Sequence, residues 1–188
     1  MITIADWHAQ ALEATGGVIA AIRPDCWRAG TPCAGWDARE LVNHLVAGNW
    51  WAAELGAGAT VEQVGGRLDG DLLGSDPAAA YDASALAAAG VFRRPGALDS
   101  PCAVSYGPVP GSVYAGHRFI DVLIHGWDLA TATGQDTELE AGLIEACRAV
   151  AEPQIDVLRA SGAFGQGIPA PPDSSAQARL LAQLGRRG

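Results

Sequence analysis

The stretch Phe119–Ala130, FIDVLIHGWDLA, places a carboxylate and an imidazole four residues apart in a segment otherwise built for burial. Phe119, Ile120, Val122, Leu123 and Ile124 would cover most of a helix surface around Asp121, so its carboxylate is not expected to face water freely. A carboxylate buried alone is costly, and protonation, an ion pair or a bound cation offsets the cost. Asp121 and His125 stand at i and i+4 and share a helix face. The spacing suits either a hydrogen-bonded helical pair or two ligands that meet one cation.

A third group comes from Leu41–Trp51, LVNHLVAGNWW, where His44 lies among Leu41, Leu45 and Val46 on the inward face of another helix. Two ligands on one helix and one on a second would form a two-histidine, one-carboxylate set. Such sets hold zinc through three protein groups and leave a position open for water or substrate. His117 is one turn before Asp121, and helical drift over two turns suits it to an outer partner or proton relay rather than a direct ligand. It is the candidate catalytic residue. His8 reads as surface or packing, and the six tryptophans as core or pocket wall.

Outward from these segments the chain reads as helices separated by proline and glycine. Thr3 caps a first helix reaching about Ile22, and the segment from Arg23 to Gly35 interrupts it. Asp37 caps the second helix, with Glu40 at the capping-box position and Trp36 placed to staple against Leu41; this helix runs to about Leu55. A glycine-rich connection from Gly56 to Ser75 leads to Asp76-Pro77, an N-cap followed by proline at the first helical position. Gly90–Gly111, with four prolines, reads as loop. Ser112 is the expected cap of the helix that carries Asp121 and His125, and Gly134 its left-handed end. Helical pattern resumes over Glu138–Ala160 with a break at Pro153, and after a Pro/Gly loop SSAQARLLAQLG forms a short amphipathic tail. The expected fold class is all-α: a four-helix bundle, mostly antiparallel, with long crossover loops and short C-terminal helices, in one domain over 1–188.

Composition narrows the function classes. At 188 residues and 49% hydrophobic content the chain can bury a substantial core. Its formal net charge of -9, with twelve arginines and no basic patch, argues against nucleic acid as a partner. No signal-peptide pattern or membrane-length apolar run is present, so a cytoplasmic protein without membrane partners is expected. Cys26, Cys33, Cys102 and Cys147 form no CxxC pair and read as reduced packing thiols; Cys33 and Cys102 are not expected to ligate a metal.

Three segments carry a resemblance: TPCAGWDARELVNHL (Thr31–Leu45), HRFIDVLIHGWDLATATG (His117–Gly134) and the tail Phe164–Arg186. Together they resemble an actinobacterial branch of the DinB-like superfamily, related to the metal-binding domain of mycothiol-dependent maleylpyruvate isomerase. The resemblance implies a divalent metal, zinc with nickel as an alternative, held by His44, Asp121 and His125. Asp121 stands where the isomerase has a glutamate, which gives the site a shorter arm. The resemblance also implies a mycothiol-like thiol cosubstrate acting on a small-molecule electrophile by isomerisation or S-transfer, and it accommodates a homodimer. The isomerase has a further C-terminal domain that contributes to its substrate site, so its particular substrate is not expected to transfer. Two other classes fit an open metal site: a hydrolase that activates water, and a non-catalytic, metal-stabilised small-molecule binding or stress protein.

Overall fold

Thr3 opens the first helix, α1 (Ile4–Ala20), as expected: its side chain accepts the Asp6 amide, and the Asp6 carboxylate accepts the Thr3 amide in return. The computed structural model describes residues 2–160 and 165–187. Asp37 and Glu40 form the same reciprocal box at the start of α2 (Ala38–Gly56). The connection that follows contains a one-turn helix, α3 (Val61–Val64), capped by Thr60. Asp76 accepts the Ala79 amide and Pro77 occupies the first position of α4 (Pro77–Phe92).

Gly90–Gly111, read from sequence as loop, instead contains a two-stranded antiparallel hairpin, β1 (Pro101–Val104) with β2 (Gly107–Pro110). Both strands of an isolated pair are edges, so proline there need not remove a ladder hydrogen bond. The next helix, α5 (Gly111–Thr133), is not capped by Ser112. The Gly111 and Ser112 amides donate to the Ser100 and Leu98 carbonyls, which satisfies two of the first-turn donors without a side-chain cap. Gly134 ends α5 at φ 68°, ψ 33°, the left-handed conformation expected of it.

The structure divides into two compact units, Met1–Asp136 and Thr137–Gly188. In the first, α1 packs on α5 and α4, and α2 packs on α4 and α5. Contacts fix the directions. His44 meets Asp121 while Asn49 meets Arg118, so α2 and α5 are antiparallel; Asn49 meets Ser84 while Gly56 faces Val91, so α2 and α4 are parallel. Asp6 approaches Arg93 while Gly16 faces Tyr81, so α1 and α4 are antiparallel. Thr15 Oγ1 of α1 donates to the Val122 carbonyl, and the Val18 carbonyl accepts from Gln135 just beyond the end of α5, an ascending order that makes α1 and α5 parallel. The mostly antiparallel arrangement read from sequence is therefore corrected to two parallel and two antiparallel neighbours. The 57–76 connection makes this possible by returning the chain along the bundle before α4 begins. Leu41, Leu45, Phe119, Ile120, Leu123 and Ile124 are fully buried, and Tyr81 sends its hydroxyl to the Leu12 carbonyl.

In the second unit, the pattern expected over Glu138–Ala160 resolves into α6 (Ala141–Ala151), a 3-10 turn holding Pro153, and α7 (Ile155–Ala160). Residues 161–164 of the following expected loop lie outside the described residues. The tail helix α8 (Ala176–Gln183) is capped by Ser175 and packs on α6. Among the described residues no helix is long and apolar enough to cross a membrane.

Candidate metal centre

Antiparallel packing of α2 on α5 brings His44 opposite Asp121 and His125. Nε2 of each histidine lies 3.4 Å from Asp121 Oδ1, and the two rings stand nearly perpendicular with centroids 5.2 Å apart. One potential ligand atom from each residue falls within 4.8 Å of the other two. Side-chain exposure rises across the group, from 5% for His125 to 14% for Asp121 and 34% for His44. The approach from solvent is therefore on the His44 side. Trp36 flanks that side. Expected to staple against Leu41, it has its ring centroid 4.9 Å from that of His44 and 6.5 Å from that of His125.

Two charged residues on α5, not recognised from sequence, hold this group in place. Arg118 Nη1 donates to Asp121 Oδ2 at 2.9 Å, leaving Oδ1 facing the histidines, and Arg118 Nη2 reaches Asn49 Oδ1 at 3.4 Å. Burial acts to raise the Asp121 pKa, but the charges of Arg118 and His125 and hydrogen bonds from both histidines outweigh it and hold the carboxyl well below its usual range. On the far side of the imidazole, His125 Nδ1 donates to the fully buried Asp128 Oδ2 at 2.9 Å. This orients the ring so that Nε2 turns toward Asp121. Burial acts to lower the His125 pKa, but Asp121, then Asp128 and Cys33, push it well above the ordinary value.

Arg118 lies three residues before Asp121 and Asp128 three after His125, so both were available to the helix-face argument that found the i,i+4 pair. Cys33 had no such signal. Read as a packing thiol, it lies with Sγ 3.6 Å from His125 Nδ1 and donates to Asp128 Oδ2 at 3.3 Å, across more than ninety residues of sequence. Cys33, His125 and Asp128 thus form a second group with ligand-like spacing. Cys102 and Cys147 are buried, and burial raises both thiols, Cys147 to about 12. His117 lies with Nδ1 2.6 Å from the hydroxyl of Tyr106 at the hairpin turn. His8 is not at the surface: it is fully buried, edge-on to Phe92.

The donor set of two imidazoles and one carboxylate oxygen suits a divalent cation of the zinc type. The candidate carboxylate is fixed by an arginine and one candidate imidazole by a buried carboxylate.

Comparisons with known proteins agree with this architecture. Residues 8–130 match the family model described as the mycothiol maleylpyruvate isomerase N-terminal domain. Two uncharacterized proteins of Mycobacterium tuberculosis, from strains CDC 1551 / Oshkosh and ATCC 25618 / H37Rv, are each 35% identical over 189 residues, covering 95% of this chain and 95% of theirs. The crystal structure of the mycothiol-dependent maleylpyruvate isomerase superposes with a TM-score of 0.61 at 16% identity, over 89% of this chain and 78% of that one, so the two share a DinB-like helical fold. On the family match and the helical architecture together, the chain belongs to the family of mycothiol maleylpyruvate isomerase N-terminal domains.

Proposed function

We propose that this protein is a metal-dependent enzyme that uses a low-molecular-weight thiol of the mycothiol type to isomerise, or transfer sulfur onto, a small electrophile. The supporting observation is the convergence of His44 Nε2, Asp121 Oδ1 and His125 Nε2 on one point with solvent access on the His44 side. Those three residues would hold the ion, zinc by donor chemistry, with nickel as the alternative. When bound, such an ion lowers the pKa of a thiol so that a thiolate is present at neutral pH.

The chain's own residues set the conditions for that chemistry. Arg118 keeps Asp121 ionised and turned, with Oδ2 occupied and Oδ1 presented. Asp128 fixes the proton of His125 on Nδ1, so that Nε2 faces the site. Trp36 flanks the two histidines and covers part of the approach. A thiolate adding to a conjugated cis double bond pushes the π pair onto the conjugated carbonyl as an enolate and permits rotation about the resulting single bond; return of the pair expels the thiolate and leaves the trans isomer, whereas protonation of the enolate carbon from solvent leaves an S-conjugate. His117, within reach of Tyr106, is proposed as an outer proton-relay group. A cytoplasmic location fits a small thiol as cosubstrate.

The test is turnover of a small electrophile by the metal-loaded protein with mycothiol, with glutathione and without thiol. Thiol-dependent turnover is the expected outcome. Thiol-independent hydrolysis would make the protein a hydrolase, and tight metal binding with no turnover would make it a binding protein.

A further inference from the structure

Within Met1–Asp136 the four long helices neighbour one another in the ring α1, α5, α2, α4. The candidate metal centre lies where α2 meets α5, so the seam between α1 and α4 is on the opposite side of the ring. A groove of about 540 Å³ runs along that seam. Small residues leave it open: Ala9, Gly16 and Ala20 on α1, Ala85 and Ala89 on α4. Leu86 stands on its rim at 77% exposure, the highest among the large hydrophobic side chains of the described residues. Along α4, the sixteen residues Pro77–Phe92 include one charge, Asp82, and the exposed positions Ala79, Ala83, Leu86 and Gly90 are apolar. A helix this apolar all round is ordinarily covered on its outer face as well.

The pattern of charge and size on α4 identifies what covers it. Asp82, Leu86, Ala89 and Arg93, the last at the C-cap, stand at i, i+4, i+7 and i+11 and form one stripe along the groove. This stripe is its own complement. Its midpoint falls between Ala87 and Ala88, and a two-fold axis through that point, perpendicular to the helix, sets Asp82 opposite the second copy's Arg93 and Leu86 opposite its Ala89. Each pairing then occurs twice, opposite charges at the ends and large against small in the middle. Asp82 has no hydrogen bond or ion pair within its own chain among the described residues, and Arg93 is engaged only loosely, 4.0 Å from Asp6.

The size of the face is consistent with such a contact. Two helices about 25 Å long, side by side, offer roughly 500 Å² per copy, or about 1,000 Å² in a dimer, the lower end for a specific interface. We propose that the α1/α4 face is the contact of a two-fold homodimer in which α4 runs antiparallel to its counterpart. The association is reversible and weak, as an interface of this size implies, and both candidate metal centres face away from it. Nothing in the assignment uses the thiol-dependent reading.

Sedimentation velocity of the full-length protein across the micromolar range tests the assembly. The weight-average mass should climb from one chain toward two as concentration rises; a wild type that stays at one chain throughout would overturn the proposal. Leu86→Arg, at a side chain already in solvent, should weaken self-association roughly tenfold or more with the helical circular-dichroism signal unchanged. A dimer that persists undiminished in this variant forms through another face, and the assignment falls. The charge pairing has its own test. Asp82→Arg and Arg93→Asp should each be monomeric at concentrations where the wild type is dimeric, because each variant sets like charges opposite one another twice. Mixed in equal amounts the two variants should associate, since one then presents only cations and the other only carboxylates at the facing positions. A mixture that stays monomeric would overturn the antiparallel pairing of Asp82 with Arg93, and the proposal with it.

Discussion

Asp128 orients the imidazole through its 2.9 Å hydrogen bond to His125 Nδ1, and the same carboxylate oxygen accepts from the Cys33 thiol at 3.3 Å. Asp128→Asn keeps the shape and loses the charge that fixes the imidazole's proton and basicity. Metal affinity should fall roughly 10- to 100-fold, read by competition with a chromophoric chelator, while the helical circular-dichroism signal is unchanged. His8 poses the opposite case, a buried imidazole with no hydrogen-bond partner for either ring nitrogen among the described residues. Burial, assisted by the Arg118 charge, pushes its pKa down to about 3 from an unfolded value of 6.5. Its contribution is therefore fully present above pH 6.5 and is lost as the pH falls toward 3, because the unfolded chain takes up the proton first. Within that window the cost approaches about 1.4 kcal/mol per pH unit. His8→Leu removes the titrating group and two unsatisfied polar atoms. In acid-denaturation curves it should flatten the loss of stability between pH 6.5 and 3 relative to the wild type; identical slopes would show that His8 takes up its proton equally in the folded and unfolded states.

The close approach of α2 to α5 depends on Gly48. A β-carbon there would lie 2.5 Å from the Arg118 guanidinium, which is itself buried and tied to Asp121 and Asn49. Alanine favours a helix over glycine by about 1 kcal/mol, but displacing Arg118 forfeits a charge-assisted hydrogen bond worth about 1.5–3 kcal/mol. Gly48→Ala should thus destabilise by roughly 0.5–2 kcal/mol and weaken metal binding as Asp121 loses its anchor. Gly17 in α1 is the control: a β-carbon there meets nothing within 4 Å, so Gly17→Ala should stabilise by about 0.4–1 kcal/mol in urea unfolding. The helices themselves were legible in the sequence because their signals are local. Thr3, Asp37 and Asp76 announce starts, Gly134 an end and Pro153 a break, and each acts within a few residues. Local chemistry also drew attention to His44, Asp121 and His125, since a polar group in an apolar stripe requires a partner. The hairpin was hidden by its prolines, and the parallel pairing of α2 with α4 by a connection whose path no residue type specifies. The places of Cys33 and Trp36 beside the site depend on where the 21–37 loop settles over the bundle, which is a tertiary outcome without a periodic signature.

The three proposed ligands and all six tryptophans lie in the unit Met1–Asp136. Intrinsic fluorescence therefore follows the unfolding of the unit that carries the proposed ligands, without contribution from tryptophan in Thr137–Gly188. That matters because a chain with two compact units need not unfold in one step, and a melting temperature averaged over both would dilute the effect. An ion held by the proposed ligands in the folded state alone would join His44 of α2 to Asp121 and His125 of α5, and would stabilise the unit by RT ln(1 + [L]/Kd), about 2.7 kcal/mol at a hundredfold excess over Kd. At a few degrees per kcal/mol, chelation should lower the fluorescence-detected Tm by roughly 5–10 °C. His44→Ala should abolish most of this sensitivity, because the remaining ligands belong to one helix and no longer join two. His117→Ala should retain the ion and the chelator response while changing turnover. If the shift survives in His44→Ala with metal at wild-type stoichiometry, the ion belongs to the other face of the same imidazole, with Cys33 and Asp128. Cys33→Ser would then remove the chelator response that His44→Ala left intact. His125 contributes an atom to both groups, so its substitution alone could not choose between them, whereas the His44 and Cys33 variants can.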